Sequence, residues 1–274
     1  MIENLVVVYA AAGVIGLALG LFGGGGSVLT LPVLVYLAGI NPVLATAYSL
    51  FVVGTTALIA TVSFVRNQLV DSTALLTFGL PSLCAVYLTR LYVVPLLPEE
   101  IGTVMGMVIT KNALLMLTFS LMMAIAGLSM IRPGEQAQAE GAADGDRSVG
   151  LAIAEGLFVG FITGLVGAGG GFIIVPMLAV RWKLPLRVAI GTSLGIIAIK
   201  SLCGFVGDLQ LARLMDWPFL LRFSAAVIAG MGCGIALNRR APIGLLRVGF
   251  GWFVLLAALG IVIMELNVGY NPGE

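Results

Sequence analysis

The chain has 274 residues, 60% of them hydrophobic and only 10% charged, with a formal charge of +1 and no histidine; its mean hydropathy is +1.12. A soluble domain carries roughly a quarter charged residues, so this composition excludes a water-soluble globule and describes an integral membrane protein. The small, scattered charge offers nucleic acid no patch to bind, and the missing imidazoles remove the commonest metal ligand and a proton relay suited to neutral pH.

In chain order, Met1-Ile2-Glu3-Asn4 carries no basic n-region, so the first apolar segment, about 5–22, is expected to stay in the mature protein. It runs into Gly20-Leu21-Phe22-Gly23-Gly24-Gly25-Gly26-Ser27. The next apolar stretch, 28–38, is too short to cross: about a dozen residues at ~1.5 Å each reach ~18 Å of a ~30 Å hydrocarbon core. The pair is therefore either a re-entrant hairpin or a crossing followed by a strongly broken helix. Asn41-Pro42 closes it, and spans are predicted over 43–65, 73–94 and 112–131, with an interfacial or frayed helix at 101–109. Residues 132–149, beginning RPGEQAQAEGAADGDRS, have almost nothing apolar to bury and read as a flexible linker. The second half repeats the plan with segments at 150–166, 172–180, 186–206, 217–237 and 243–266. Cys84, Cys203 and Cys233 sit singly in apolar runs and read as buried small hydrophobes.

The repetition is detailed. Gly16, Gly20, Gly23, Gly25, Gly26 and Pro32 are answered 144 positions on by Gly160, Gly164, Gly167, Gly169, Gly170 and Pro176, and Ser49-Leu50 by Ser193-Leu194. The predicted fold is thus an all-α polytopic membrane protein of two repeats, 1–131 and 150–274, each a Gly-rich broken or re-entrant helix pair followed by three transmembrane helices. An odd number of crossings per half puts Arg66, Arg132, Arg147, Arg181, Lys183, Arg187, Arg239, Arg240 and Arg247 on the linker's side, against Arg90, Lys111, Arg213 and Arg222 on the other. By the positive-inside rule the linker is cytoplasmic and both termini are external. Odd halves also force the repeats to be inverted about an axis in the membrane plane, the build of a secondary transporter. Pairs such as Gly102/Gly106 and Gly230/Gly234 read as helix-packing faces.

Irregular backbone at membrane depth is tolerated only where it is buried in protein or lines a wet cavity. Glycine there admits positive φ and close approach of a ligand. In both copies the loop is expected to run into a short helix, at Ser27/Val28 and at Gly171/Phe172, and two helix ends converging near the midplane make an anion site. The candidate substrate-binding residues are therefore Gly23, Gly24, Gly25, Gly26 and Ser27 in copy one and Gly167, Ala168, Gly169, Gly170 and Gly171 in copy two. Ser49, Thr192 and Ser193 join them as hydroxyl donors near a helix start. Lys200 is the charged member. It lies deep in the 186–206 span, about 12 Å from the polar end at Asp208 and beyond the reach of snorkelling, and its equivalent in copy one is Thr56. A methyl at Gly25 or Gly169 is expected to obstruct a ligand more than it harms the fold, and one at Gly16 to do the reverse. Arg90 and Arg222 fall near external helix ends, where arginines anchor to the interface. Glu155 and Asp208 could carry a coupling proton, but their positions near helix ends read as solvated.

The doubled Gly-rich turn followed by proline, the Ser-Leu pair in AYSL and GTSL, and the RNQLVD and GDLQLA stretches resemble the sulfite exporter TauE/SafE family, also called the 4-toluene sulfonate uptake permease family. The resemblance covers both halves apart from the linker. It implies a carrier of small anions, often sulfur oxyanions or organosulfonates of the sulfite, sulfoacetate and sulfonate type, in a prokaryotic inner membrane. The implied partners are the anion and the lipid bilayer, with a proton or sodium ion as candidate coupling ion; no cofactor, metal or nucleic acid is expected. Ala168 for Gly24 and Tyr48 for Thr192 are departures between the copies that predict an asymmetric site. An anion channel is the alternative reading. A membrane-embedded enzyme is a weaker one, since the candidate nucleophiles Ser49 and Ser193 have no histidine to serve them.

Overall fold

Each transmembrane element starts and stops where the backbone chemistry changes. The computed structural model describes residues 2–104, 107–131, 149–167, 169–238 and 243–270; residues 132–148 of the expected linker, Gly106, Ala168 and the Arg239-Arg240 pair lie outside the described residues. Helix α1, Ile2–Phe22, passes into a 3-10 turn, Gly23–Leu29, and then into the short α2, Thr30–Pro32. A wide π turn, Val33–Leu37, follows the proline. Asn41 caps α3, Pro42–Arg66, by accepting from Val43 N–H at 3.0 Å, with Pro42 in the first turn, where its missing N–H costs nothing. Asp71 caps α4, Ser72–Thr77, accepting from Ala74 N–H at 2.8 Å. The helix continues through α5, Gly79–Leu88, a π turn, Thr89–Val93, and α6, Val94–Leu96, as one membrane span. Strands β1, Glu100–Val104, and β2, Met107–Thr110, form an antiparallel hairpin before α7, Lys111–Ile131. The second half holds α8, Val149–Val166; α9, Gly171–Pro176, with a π turn, Met177–Arg181; α10, Leu186–Gly207; α11, Trp217–Asn238; and α12, Ile243–Tyr270.

This is an all-α polytopic membrane protein. Five helices among the described residues are long and apolar enough to cross a bilayer, at Pro42–Arg66, Ser72–Leu96, Lys111–Leu128, Arg187–Gly207 and Trp217–Leu237. Large apolar side chains such as Trp252, Phe253, Leu256 and Leu259 stand exposed along α12, a surface that a water-soluble fold does not carry. The predicted interfacial helix at 101–109 is corrected to the β-hairpin, so Gly102 lies in a strand and belongs to no helix-packing face. Its threonine and β-branched residues favour extended backbone once Pro98 has followed the end of the preceding helix at Leu96. The cysteines are also corrected: Cys84 and Cys233 are exposed and Cys203 is half-buried.

Helix pairing follows the duplication. Gly16 and Gly20 of α1 press on α11 at Val227, Met231 and Ile235, while their counterparts Gly160 and Gly164 of α8 press on α5 at Ser82, Ala85 and Val86 and on Thr89 of the π turn that follows it. Gly230 and Gly234 meet the α1 backbone at Gly13 and Leu17. The lack of side chains lets the backbones approach, the usual basis of helix association in lipid. Each pair runs parallel, since the numbering rises on both members.

The central pair behaves differently. Gly191 lies against Phe64, Gly195 against Thr61, Gly54 against Leu202 and Gly204 against Leu50, so numbering rises on α10 as it falls on α3. These equivalent helices are antiparallel. In that register Thr56 and Lys200, equivalents of one another, stand level. Exchanging the copies maps the α1–α11 contact onto α8–α5 and returns α3–α10 and α7–α12 to themselves.

A matching pair of clamps ties the ends of α3 and α10. Asp71 N–H donates to Thr192 Oγ1 at 2.8 Å, and Asp216 N–H donates to the hydroxyl of Tyr48, the residue equivalent to Thr192. Each aspartate also accepts from the helix it precedes, Asp216 from Phe219 N–H at 3.0 Å.

Candidate functional site

The two glycine loops touch each other and both pack on α10, yet they are shaped differently. In copy one the chain coils directly into the 3-10 turn at Gly23, so the expected helix start at Ser27/Val28 is corrected: helical backbone already runs through it. Four successive glycines permit this because Gly26 packs on the α1 backbone at Ala18 and Leu19, where any β-carbon would collide. In copy two, Gly167 and Gly170 have φ of +71° and +72°, and α9 begins only at Gly171, as the spacing predicts. Gly167 N–H closes α8 on Thr163 O at 2.9 Å, and Gly170 O accepts from Ile173 and Ile174 N–H at 3.0 Å.

Residues of both copies surround this turn. Gly169 is wedged between Val53 and Ile197, which are equivalents, and Ser27 Oγ lies 3.6 Å from where its β-carbon would be. The prediction that a methyl at Gly169 spares the fold is corrected, because it would drive into two stiff β-branched side chains.

Two buried cations stand at the ends of the turn. Lys200 is 1% exposed, and its Nζ donates to Thr163 Oγ1 at 2.9 Å beside Gly170. Thr163 in turn donates to Val159 O at 2.7 Å. Among the described residues no carboxylate lies within ion-pair distance of Lys200. At the other end, beside Gly167, Arg90 is 0% exposed. Its Nη1 donates to Thr46 Oγ1 at 2.8 Å and lies 3.1 Å from Asp208 Oδ2.

Sequence reasoning missed Arg90 and Asp208. Asp208 is 2% exposed, so the expectation of a solvated carboxylate is corrected, as is that of an interfacial anchor at Arg90. Arg222, by contrast, is exposed. The available signal was the one that picked out Lys200: Arg90 lies inside a span, and the residue that the Asp71/Asp216 pairing makes its equivalent, Ile235, is uncharged.

The predicted hydroxyls divide. Ser49 and Ser193 are 0% exposed, with Oγ atoms that lack a hydrogen-bond partner among the described residues. Each is seven residues from the Thr56–Lys200 level, and on antiparallel helices they lie on opposite sides of it, about 20 Å apart along the axis. They do not share one site. Ser49 lies on the α3 face of Thr46 and Val53, which meet the copy-two loop; Ser193 shares its face with Ile197, four residues on. Thr192 is held in the clamp on Asp71, and Thr56 donates to Val52 O at 2.6 Å. The assembled chemistry is a left-handed glycine turn with an ammonium at one end and a guanidinium at the other. Desolvated cations of this kind favour an anion.

Comparison with known proteins bears on this arrangement. A family model described as Sulfite exporter TauE/SafE matches residues 8–261. A probable membrane transporter protein of Xylella fastidiosa (strain 9a5c) is 33% identical over 95% of this chain and 96% of its own length. The probable membrane transporter protein YunE of Bacillus subtilis is 28% identical over 86% of this chain and 88% of its own. One from Methanocaldococcus jannaschii is 25% identical over 96% and 94%. No solved structure matches the chain.

Proposed function

Since the chain belongs to the sulfite exporter TauE/SafE family of membrane transporters, we propose that it is a secondary carrier that moves a small anion, a sulfur oxyanion or organosulfonate, across the bacterial inner membrane. The observation that carries this reading is Lys200: a fully buried ammonium beside a left-handed glycine turn, without a carboxylate partner among the described residues. A charge at this depth is costly unless something polar meets it, and a substrate anion does so.

Antiparallel α3 and α10, and the exchange of helix pairs between copies, support two repeats of inverted topology that rock about the Thr56–Lys200 level. The basic residues on the linker side support a cytoplasmic linker and periplasmic termini. Lys200, Ser49, Ser193, Ser27, the glycines at 23–26 and Gly167, Gly169, Gly170 and Gly171 are the residues assigned to the substrate path. A proton or sodium ion supplies the driving gradient.

The test is a thermal-stability screen of purified protein against sulfite, sulfate, methanesulfonate, sulfoacetate and chloride. A ligand at 100 times its Kd adds about 2.7 kcal/mol to stability. Stabilisation by a sulfur anion at concentrations where chloride has no effect is the predicted result. Equal response to every salt, or none, would remove the sulfur-anion assignment.

A further inference from the structure

We propose that Arg90 is a second anion-binding residue, taking two oxygens of an oxyanion on its Nε–Nη2 edge, and that Asp208 is the built-in competitor for that guanidinium. The inference rests on the carrier reading above and adds to it a residue and a selectivity. Arg90 is 0% exposed, and both Nε and Nη2 are buried without a hydrogen-bond partner among the described residues. Those two nitrogens form the side edge of the guanidinium, whose parallel N–H bonds match two oxygens of a sulfonate, sulfite or carboxylate.

The opposite corner is what holds the side chain in place. Nη1 alone reaches Thr46 Oγ1 at 2.8 Å and Asp208 Oδ2 at 3.1 Å. An arginine that served only to neutralise a buried aspartate would present both parallel donors to it. Here the carboxylate is met by one nitrogen, and Asp208 Oδ2, although within ion-pair distance, makes no hydrogen bond among the described residues. The pair is therefore poised for exchange.

The copy-two loop packs directly on that edge. A β-carbon on Gly167 would come within 2.5 Å of Nη2, so a glycine is needed where the copy-two loop passes the guanidinium. Arg90 also lies in the π turn Thr89–Val93, a local widening of the helix that often accompanies functional side chains. Thr46 is ten residues before Thr56 on α3, so the guanidinium lies about 15 Å along the axis from the level of Lys200, toward the outer face in the proposed orientation. The loop Gly167–Gly170 bridges the two cations, which makes them successive stations on one path.

The experiment measures affinities of the purified full-length protein for sulfate, methanesulfonate and chloride, in wild type, Arg90→Lys, Asp208→Asn and Lys200→Ala. Arg90→Lys keeps the charge opposite Asp208 but loses the two-pronged edge. We expect it to weaken sulfate and methanesulfonate binding tenfold or more while changing chloride affinity less than threefold. Asp208→Asn removes the competitor and is expected to tighten oxyanion binding at least fivefold, so that sulfate raises its Tm more than it raises that of wild type. Oxyanion affinity within twofold of wild type in Arg90→Lys would overturn the assignment, as would unchanged or weaker binding in Asp208→Asn. Should Arg90→Lys fail to fold, the Asp208→Asn arm decides alone. Loss of binding in Lys200→Ala with Arg90→Lys unaffected sinks only this inference. A wild type that binds none of the three anions sinks the carrier reading with it.

Discussion

Lys200 and the Arg90–Asp208 pair are the residues on which the energetics turn. Replacing Lys200 by alanine removes a charge-assisted contact and should weaken anion binding by about 1.5–3 kcal/mol, roughly ten- to a hundredfold, as read by isothermal titration. Lys200→Arg should restore only part of that, since a planar fork does not reproduce a compact ammonium. For the ion pair the prediction concerns stability. Asp208→Ala leaves a buried guanidinium without its counter-charge and should cost about 3–5 kcal/mol, whereas Arg90→Met with Asp208→Leu should cost far less, because the desolvation of both charges is removed together. Chemical unfolding in mild detergent measures the difference; equal losses in the single and double variants would show that the two charges are not coupled.

The elements hold together through close backbone contacts that the glycine spacing announces. Gly16 and Gly13 lie on the same helix and make a paired test. A methyl at Gly16 would run into the Val227 carbonyl, and Gly16→Ala should lose about 1–3 kcal/mol. At Gly13 a β-carbon has nothing within 4 Å, so Gly13→Ala should be neutral or gain up to about 1 kcal/mol from helix propensity. Similar melting temperatures for the two variants would contradict the α1–α11 packing. The clamps make a second test: Tyr48→Phe leaves Asp216 N–H without an acceptor and should cost about 1–3 kcal/mol, as should Thr192→Val at Asp71. Much of this scale was legible in sequence. Spans, glycine breaks and the 144-residue repeat follow from hydropathy and from residues with special backbone freedom. Less legible was conformation within a repeat. Gly23–Gly26 and Gly167–Gly170 read as one device, but the first coils on α1 and the second opens into a left-handed turn, a choice made by tertiary packing. Arg90 and Asp208 were misread for a related reason. Proximity to a helix end in sequence does not reveal that another helix covers that end.

At the scale of the whole molecule, two repeats meet along antiparallel α3 and α10 with the glycine loops between them. Ser49 and Ser193, on opposite sides of the Lys200 level, are equivalent positions on the two halves of the proposed path. With the linker proposed as cytoplasmic, a cysteine introduced at Asp144 in a cysteine-free background should react in intact cells only with membrane-permeant reagents. Labelling by an impermeant maleimide would reverse the orientation. The central claim is that these repeats carry a sulfur anion past Lys200 by alternating access, and counterflow in proteoliposomes tests it most directly. Vesicles loaded with unlabelled sulfite should accumulate external labelled sulfite transiently, with a saturable rate that Lys200→Ala reduces at least tenfold. A linear, unsaturable flux without counterflow, or a rate unchanged in Lys200→Ala, would contradict it.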